Sequence, residues 1–482
     1  MAGDSAGYVD LIQRVSDFGD MRSKVFASAY SLYSLIGRPF QEYCSNDFIN
    51  QYENWSFSNY HFYLVTYIFA VIIKITNIPP IIFSAVINAI ASFSTFLLIY
   101  LIASKFKFSI LKKILIVLIF LLFPPLLGSL SGQYYFDRLY IPLILLLYYL
   151  YISNNDNLNN ILIIIISLLL FSISERTSLM GGAFLLALFL IGIKEKKYVL
   201  LIGIIGVINY FFWKYNIQNS PYSENTSAAQ IISNIKDLFN PEMPISILGL
   251  RLLIICAPFV IISLFSWKYF LLSVIFLAPN YLVTIGGAEK IGFVTHYHSY
   301  YIPVLIIGFI NGFSNLSKNK SVSKLTIESL ILTTVFLIQV FHYFNIQHVV
   351  SPTLSHNLFK DIKIMYKKSD LGQYSDSRYI ALKSLFDDVN REAFVSSNEF
   401  MQPTLVGLGF VNIRYFPVGV DHSDYLLTES VPDTKTIFLL NIVSDENMPN
   451  IQKCLFERAN ANFKIHKSVI IRGVEFTLWK RN

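Results

Sequence analysis

Six carboxylates and a few histidines stand where they could do chemistry in a chain otherwise poor in charge. SDFGD places Asp17 and Asp20 around Gly19, with Asp4 and Asp10 upstream in GDSAGYVD; YYFDR holds Asp137 and SERTS holds Glu175. A carboxylate in such a loop can take a proton from a hydroxyl, bind a divalent cation, or cap a helix. For the acidic run near the N-terminus the cap or solvated face is the ordinary reading. Asp137 is equally ambiguous, since Arg138 beside it can simply neutralise it. Glu175 lies between two apolar runs, where an ionisable group is costly and tends to serve a function, with Arg176 as its structural alternative. His296, Tyr297 and His298 precede another apolar run, and His61 opens one. A histidine pair two apart suits metal binding or acid–base work, and suits equally well a place among tyrosines at a headgroup boundary.

What must position these residues is a set of membrane helices. The 482 residues are 54% hydrophobic and 14% charged, with a mean hydropathy of +0.52; a soluble domain carries about 25% charged residues. Apolar runs near 81–103, 110–128, 138–153, 160–174, 178–194, 198–215, 246–265, 268–286, 299–316 and 326–345 predict about ten crossings. Lys105, Lys107, Lys112 and Lys113, then Lys194, Lys196 and Lys197, then Lys268, then Lys318, Lys320 and Lys324 fall in alternate connectors and mark the cytoplasmic side. The opposite connectors, at 132–138, 174–178, 216–245 and 286–298, then share the outer face with everything after Phe344. The segment 61–76 carries Lys74 and stops at Asn77 and Pro79-Pro80, so it reads as an interfacial or re-entrant helix that does not cross. The N-terminal block then lies outside too, which leads to the expectation of a further membrane helix before Met1.

Three divisions follow: an outer-face N-terminal loop with the interfacial helix (1–80), a transmembrane helical domain (81–345), and a small extracytoplasmic α/β domain (346–482). In the last, strands are expected at Ala393–Ser396, Asn412–Phe416, Tyr425–Leu427, Thr436–Leu440 and Val474–Trp479, with helices at Ile451–Ala459 and Ser377–Val389. This domain either covers the membrane site and helps to recognise an acceptor, or serves as a stabilising cap.

The formal charge of +7 sits in the connectors as a topology signal rather than in a basic stripe, so nucleic acid is not an expected partner. Cys44, Cys256 and Cys454 show no CxxC spacing, Cys256 reads as packing, and the first residues do not form a signal peptide. No glycine-rich phosphate loop, nucleophile elbow or HExxH helix occurs, so ATP-driven and hydrolase readings lack their marks.

Taken in order, SDFGD (16–20), NYHF (59–62), YYFDR (134–138), SERTS (174–178), HYHSYYIP (296–303) and SSNEFMQPTLVGLGFVNIRYFP (396–417) resemble the uncharacterised DUF2079 family of predicted bacterial membrane proteins. That family is similar to the GT-C class of glycosyltransferases, which use lipid-linked sugars. The resemblance implies a polytopic helical bundle in the bacterial cytoplasmic membrane that moves a sugar from a polyprenyl-phosphate-type donor to a glycan, lipid or protein acceptor at the outer face. It also implies a catalytic base in the first outer loop, falling on Asp17. His61 and Phe62 match a His-Phe pair, Asp137 a Phe-Asp motif, and Glu175 a Lys-Glu-Asp motif. Arg22 stands where the family has a second acidic residue, Leu139 where it tends to have His, and Arg176 where it has Asp; these departures weigh against a metal, though a divalent cation stays a candidate cofactor. On this reading Asp17, Asp137 and Glu175 are catalytic. His61, Arg138, Arg176, His296 and Tyr297 bind substrate, Lys290 is a further candidate for the donor phosphate, and Tyr134, Tyr135, Tyr300 and Tyr301 join Tyr297 in stacking on sugar rings. A transporter, or a non-catalytic receptor or assembly protein specific through its C-terminal domain, are the other classes considered. Pro124-Pro125 and Pro279-Asn280 are the helix breaks a transporter would use.

Overall fold

The computed structural model describes residues 2–33, 61, 63–131, 135–153, 157–192, 197–216, 244–282, 296–318, 324–345, 377–397, 401–416, 420–430, 457, 461–471 and 474–482. Each of the ten apolar runs is a helix. They are α4 (Pro80–Lys105), α5 (Ile110–Leu121) with its continuation α6 (Pro124–Ser131), α7 (Tyr140–Ile152), α8 (Asn157–Ile173), α9 (Glu175–Ile191), α10 (Lys197–Asn216), α11 (Pro244–Ser263), α12 (Trp267–Leu282), α13 (Ile302–Lys318) and α14 (Lys324–Asn345). Before them come α1 (Ala2–Phe18), α2 (Lys24–Tyr33) and α3 (Val65–Thr76).

Among the described residues, four stretches are long and apolar enough to cross a bilayer: Pro80–Lys105, Lys197–Tyr215, Ile254–Ala278 and His298–Ser317. A fifth is added if Ile110–Leu121 and Pro124–Leu130, bent by 70° at the Pro124-Pro125 pair, count as one. The expectation is about ten, and for several of the other helices the shortfall is one of length. α7, for instance, has 13 residues, about 20 Å of helix against a hydrocarbon core of about 30 Å. Ile254–Ala278 runs through a 3-10 turn at Leu264–Ser266, where its packing reverses. A Cβ on Gly312 of α13 would meet Ile262 and Ser263, whereas one on Gly308 would meet Tyr269 and Ser273, and Ser273 bonds the Val304 carbonyl. Thus α11 runs with α13 and α12 runs against it, as two separate elements. Pro279-Asn280, the other expected break, lies inside α12.

The 12 residues of α3 reach only about 18 Å. Asn77, in the left-handed region, closes the helix with its N–H on the Ile73 carbonyl, and Pro80 starts α4 at a position that needs no N–H donor.

The C-terminal sheet holds β1 (Phe394–Ser397), β2 (Asn412–Tyr415), β3 (Tyr425–Ser430), β4 (Phe463–Ile471) and β5 (Val474–Arg481) in the order β2-β1-β3-β5-β4. β1 pairs in parallel with β2 and β3, while β5 is antiparallel to β3 and β4. α15 (Ser377–Leu385) and α16 (Gln402–Gly407) accompany it. The strand expected at Thr436–Leu440, the helix at Ile451–Ala459 apart from Glu457, and both Cys44 and Cys454 lie outside the described residues.

The N-terminal helices are not a separate outer loop. One face of α1, with Tyr8, Leu11, Ile12 and Val15, joins the core of the bundle, while Ala6 and Val9, with Val25 of α2, join the core of the C-terminal sheet. Arg14 donates to the Val411 carbonyl at 3.1 Å, and the Tyr415 N–H donates to Ser28 Oγ at 3.0 Å. Between the two faces Asp10 is buried, accepting a hydrogen bond from Ser23 Oγ at 2.5 Å and facing Arg14 at 3.7 Å. Burial pushes its carboxyl up to about 6, against the opposing pull of Arg14 and Ser23.

Candidate functional site

The buried polar cluster forms where several helices begin, at the end of the bundle away from the lysine-rich connectors. Phe136–Leu139 is a 3-10 turn leading into α7, Ser174 caps α9, and His296–Tyr300 is a 3-10 turn just before α13. These three entries meet around Asp137, which is 1% exposed. Its Oδ1 accepts from Ser174 Oγ and from the Tyr300 hydroxyl, each at 2.8 Å, and its Oδ2 accepts from the Tyr63 hydroxyl at 3.3 Å. Three hydroxyl donors compensate a buried anion; they do not make a nest for a hard cation, which seeks several oxygen ligands. Among the described residues no group of three or more His, Cys, Asp or Glu side chains could hold a metal ion.

Tyr63 passes the network on to Tyr8 of α1 through a hydroxyl contact of 3.0 Å. Burial, and then the Asp137 charge, hold the Tyr63 phenol far above its ordinary range, so it stays a proton donor. Its ring lies edge-on to Tyr8 and Phe136, with centroids 5.4 and 5.3 Å away.

On the other side of Tyr63, 5.6 Å between ring centroids, stands His61. Its Nδ1 lies 2.6 Å from Glu175 Oε1, with the two side chains 12% and 9% exposed. Glu175 is the first residue of α9, where the helix dipole favours an anion, and Arg176 Nε stands 3.9 Å from the same oxygen. A carboxylate on Nδ1 fixes the imidazole ring and leaves proton exchange to Nε2, the arrangement of a base held by its orienter.

The structure thus brings together Asp137, Glu175, His61 and Arg176. Arg138 is equally buried but turns the other way, its Nη1 donating to Asn88 Oδ1 at 3.2 Å and to the Leu130 carbonyl at 3.3 Å. His296 and Tyr297 belong to the turn that supplies Tyr300, while their side chains, Lys290, and Tyr134 lie outside the described residues. Tyr135 and Tyr301 are buried, Tyr301 with its hydroxyl 3.0 Å from Nδ1 of the buried His298.

Asp17 is the exception. It is exposed, bonded to Gln13 on its own helix, and lies two and a half turns past Tyr8, about 13 Å by helical rise. α1 and α3 run side by side in the same sense, with Tyr8 beside Tyr63 at one end and Asp17 sharing a groove with Lys74 and Asn77 at the other. Asp20 is occupied by Arg22 at 2.9 Å. Asp4 precedes Tyr8 by one turn of α1, and its side chain lies outside the described residues.

Sequence reasoning passed over Tyr8, Tyr63 and Ser174. Ser174 was detectable, because Ser-x-x-Thr ahead of an apolar run is a helix-start pattern, and here Ser174 and Thr177 cap each other's backbone N–H. Nothing in the sequence separates Tyr8 and Tyr63 from the chain's 28 other tyrosines, out of 30 in all.

Compared with known proteins, the chain matches no family model, no curated protein and no solved structure.

Proposed function

We propose that this protein is an integral-membrane glycosyltransferase that moves a sugar from a polyprenyl-phosphate-type donor to a hydroxyl acceptor at the outer face of a bacterial cytoplasmic membrane. The observation that carries the reading is the His61–Glu175 pair at 2.6 Å, beside a buried carboxylate and at the end of a bundle of apolar helices. On this reading all ten apolar helices lie in the bilayer, about ten crossings in all, with the C-terminal domain outside.

The acceptor oxygen bonds to the anomeric carbon, the bond from that carbon to the phosphate oxygen breaks, and its electron pair leaves on the polyprenyl phosphate. His61 Nε2 takes the acceptor proton, while Glu175 stabilises the imidazolium that results. Arg176, about a third exposed, holds the donor phosphate by charge-assisted hydrogen bonds. Asp137 acts through others, holding Tyr63 and Tyr300 in place by accepting their hydroxyl hydrogen bonds. The base assigned to Asp17 by resemblance passes to His61, because Asp17 sits about 13 Å along α1 from the cluster.

The test is release of polyprenyl phosphate from a radiolabelled polyprenyl-phosphate sugar in proteoliposomes supplied with a bacterial envelope extract as acceptor. Wild-type protein releases it, and His61→Ala or Glu175→Gln lowers the rate at least about a hundredfold with insertion unchanged. No release by wild type, or full activity in both variants, removes the reading. The 70° break between α5 and α6 favours a transporter as the second reading; solute uptake into the same vesicles without transfer would select it.

A further inference from the structure

The groove that holds Asp17 has a chemistry of its own. It is an open groove of about 560 Å³ between the ends of α1 and α3, the start of α4, and the end of α16 with Gly409 beyond it. Gln13, Ser16, Asp17, Lys74 and Asn77 give it polar walls, with one carboxylate and one ammonium facing the same space. No ion pair within 4 Å joins those two charges among the described residues, so they are spaced to meet separate parts of a ligand.

Two apolar stripes lead away from this groove. Along α3, Tyr67, Ile68, Val71, Ile72 and Ile75 are exposed at helical spacing, ending beside Lys74, while Val65, Phe69 and Ile73 on the other face are buried. Along α4, Ile82, Val86, Ile90, Phe93 and Leu97 are exposed, starting one residue past Ile81 in the groove wall. Because α3 ends at the groove and α4 begins there, both stripes descend from one polar point. The stripe on α4 belongs to a helix long enough to span a bilayer, so its neighbour is hydrocarbon, and the α3 stripe continues the same surface. A polar cup with opposite charges above two hydrocarbon tracks matches a two-chain zwitterionic amphiphile.

We infer that this groove binds the head group of an aminophospholipid of the phosphatidylethanolamine type, its ammonium on Asp17, its phosphate on Lys74, and its acyl chains along α3 and α4. The ammonium is required because it donates N–H bonds to Asp17, Gln13 and Ser16 oxygens, which a trimethylated choline head cannot do. A phosphatidylglycerol head offers Asp17 only neutral hydroxyls, which can donate hydrogen bonds but leave the carboxylate charge without a counter-ion. This inference rests on the membrane reading and not on glycosyl transfer.

Native mass spectrometry of the full chain released from mixed micelles counts bound phosphatidylethanolamine, phosphatidylcholine and phosphatidylglycerol of matched chain length. The expected result is a retained phosphatidylethanolamine, preferred over both others by roughly tenfold, with the preference lost in Asp17→Asn and in Lys74→Gln and kept in Asp20→Asn. Both informative positions are exposed, and an unchanged elution volume confirms their folding. No preference in wild type, a preference for phosphatidylglycerol, or a phosphatidylethanolamine preference that survives both variants overturns the inference. None of these outcomes depends on the transfer assay, so the two readings fail independently.

Discussion

Asp137 and Asp17 are alike in sequence, each acidic and expected in an outer loop, and the fold treats them in opposite ways. Asp137 is held by three hydroxyls contributed by residues from Tyr63 to Tyr300, so its charge is satisfied by chain segments far apart in sequence. Asp17 has a bond within its own helix and an open groove in front of it. A buried carboxylate that is fully hydrogen-bonded organises its neighbours, whereas an exposed one beside a cavity is available to a ligand. The difference lies in what the rest of the chain brings to each.

The contrast can be broken most forcefully at the hydrogen bonds to Asp137. Tyr300→Phe removes a donor from a buried anion and should lower stability by about 1.5–3 kcal/mol in thermal unfolding, whereas Asp20→Asn, which breaks the more exposed Asp20–Arg22 pair, should cost under about 1 kcal/mol. Ser174→Ala loses both a helix cap and a bond to Asp137, for a fall of about 2–4 kcal/mol; an effect no larger than that of Asp20→Asn would erase the distinction between the two regions. A smaller, pH-dependent effect belongs to Asp10, which lies between them. Its folded value of about 6 exceeds the ordinary 3.8, so between those limits the folded state holds more protons than the unfolded one. Stability therefore declines as pH rises from about 4 to about 6 and levels off above. Asp10→Asn should flatten that slope in urea titrations across the window; an unaltered slope would show that Asp10 is not its source.

The helices were readable because hydrophobic runs of this length have few alternatives, and all ten appear within a few residues of their expected bounds. What the sequence concealed was company. α1 carries Asp4, Asp10, Arg14 and Asp17 and reads as a polar loop, yet it lies between two cores because its apolar residues fall on two separate faces. β4 was missed because Lys464, His466 and Lys467 interrupt it; as an edge strand it tolerates those charges, and the charges discourage further pairing. The convergence of His61, Asp137 and Glu175 followed from their shared position at helix starts on one side. The distance of Asp17 did not, since it depends on α1 and α3 lying parallel, a tertiary fact that no local pattern records.

The contact between α9 and α10 has its own implication. A methyl on Gly182 would stand 2.8 Å from the Gly203 carbonyl oxygen, and Ser178 bonds both the Gly206 carbonyl and Asn209 across the same seam. With backbone laid on backbone, these two helices have no cushion of side chains to compress, and they will tilt or slide only as a single strut. Glu175, the first residue of α9, therefore rides on a stiff support, so its place beside His61 is set by the strut as a whole.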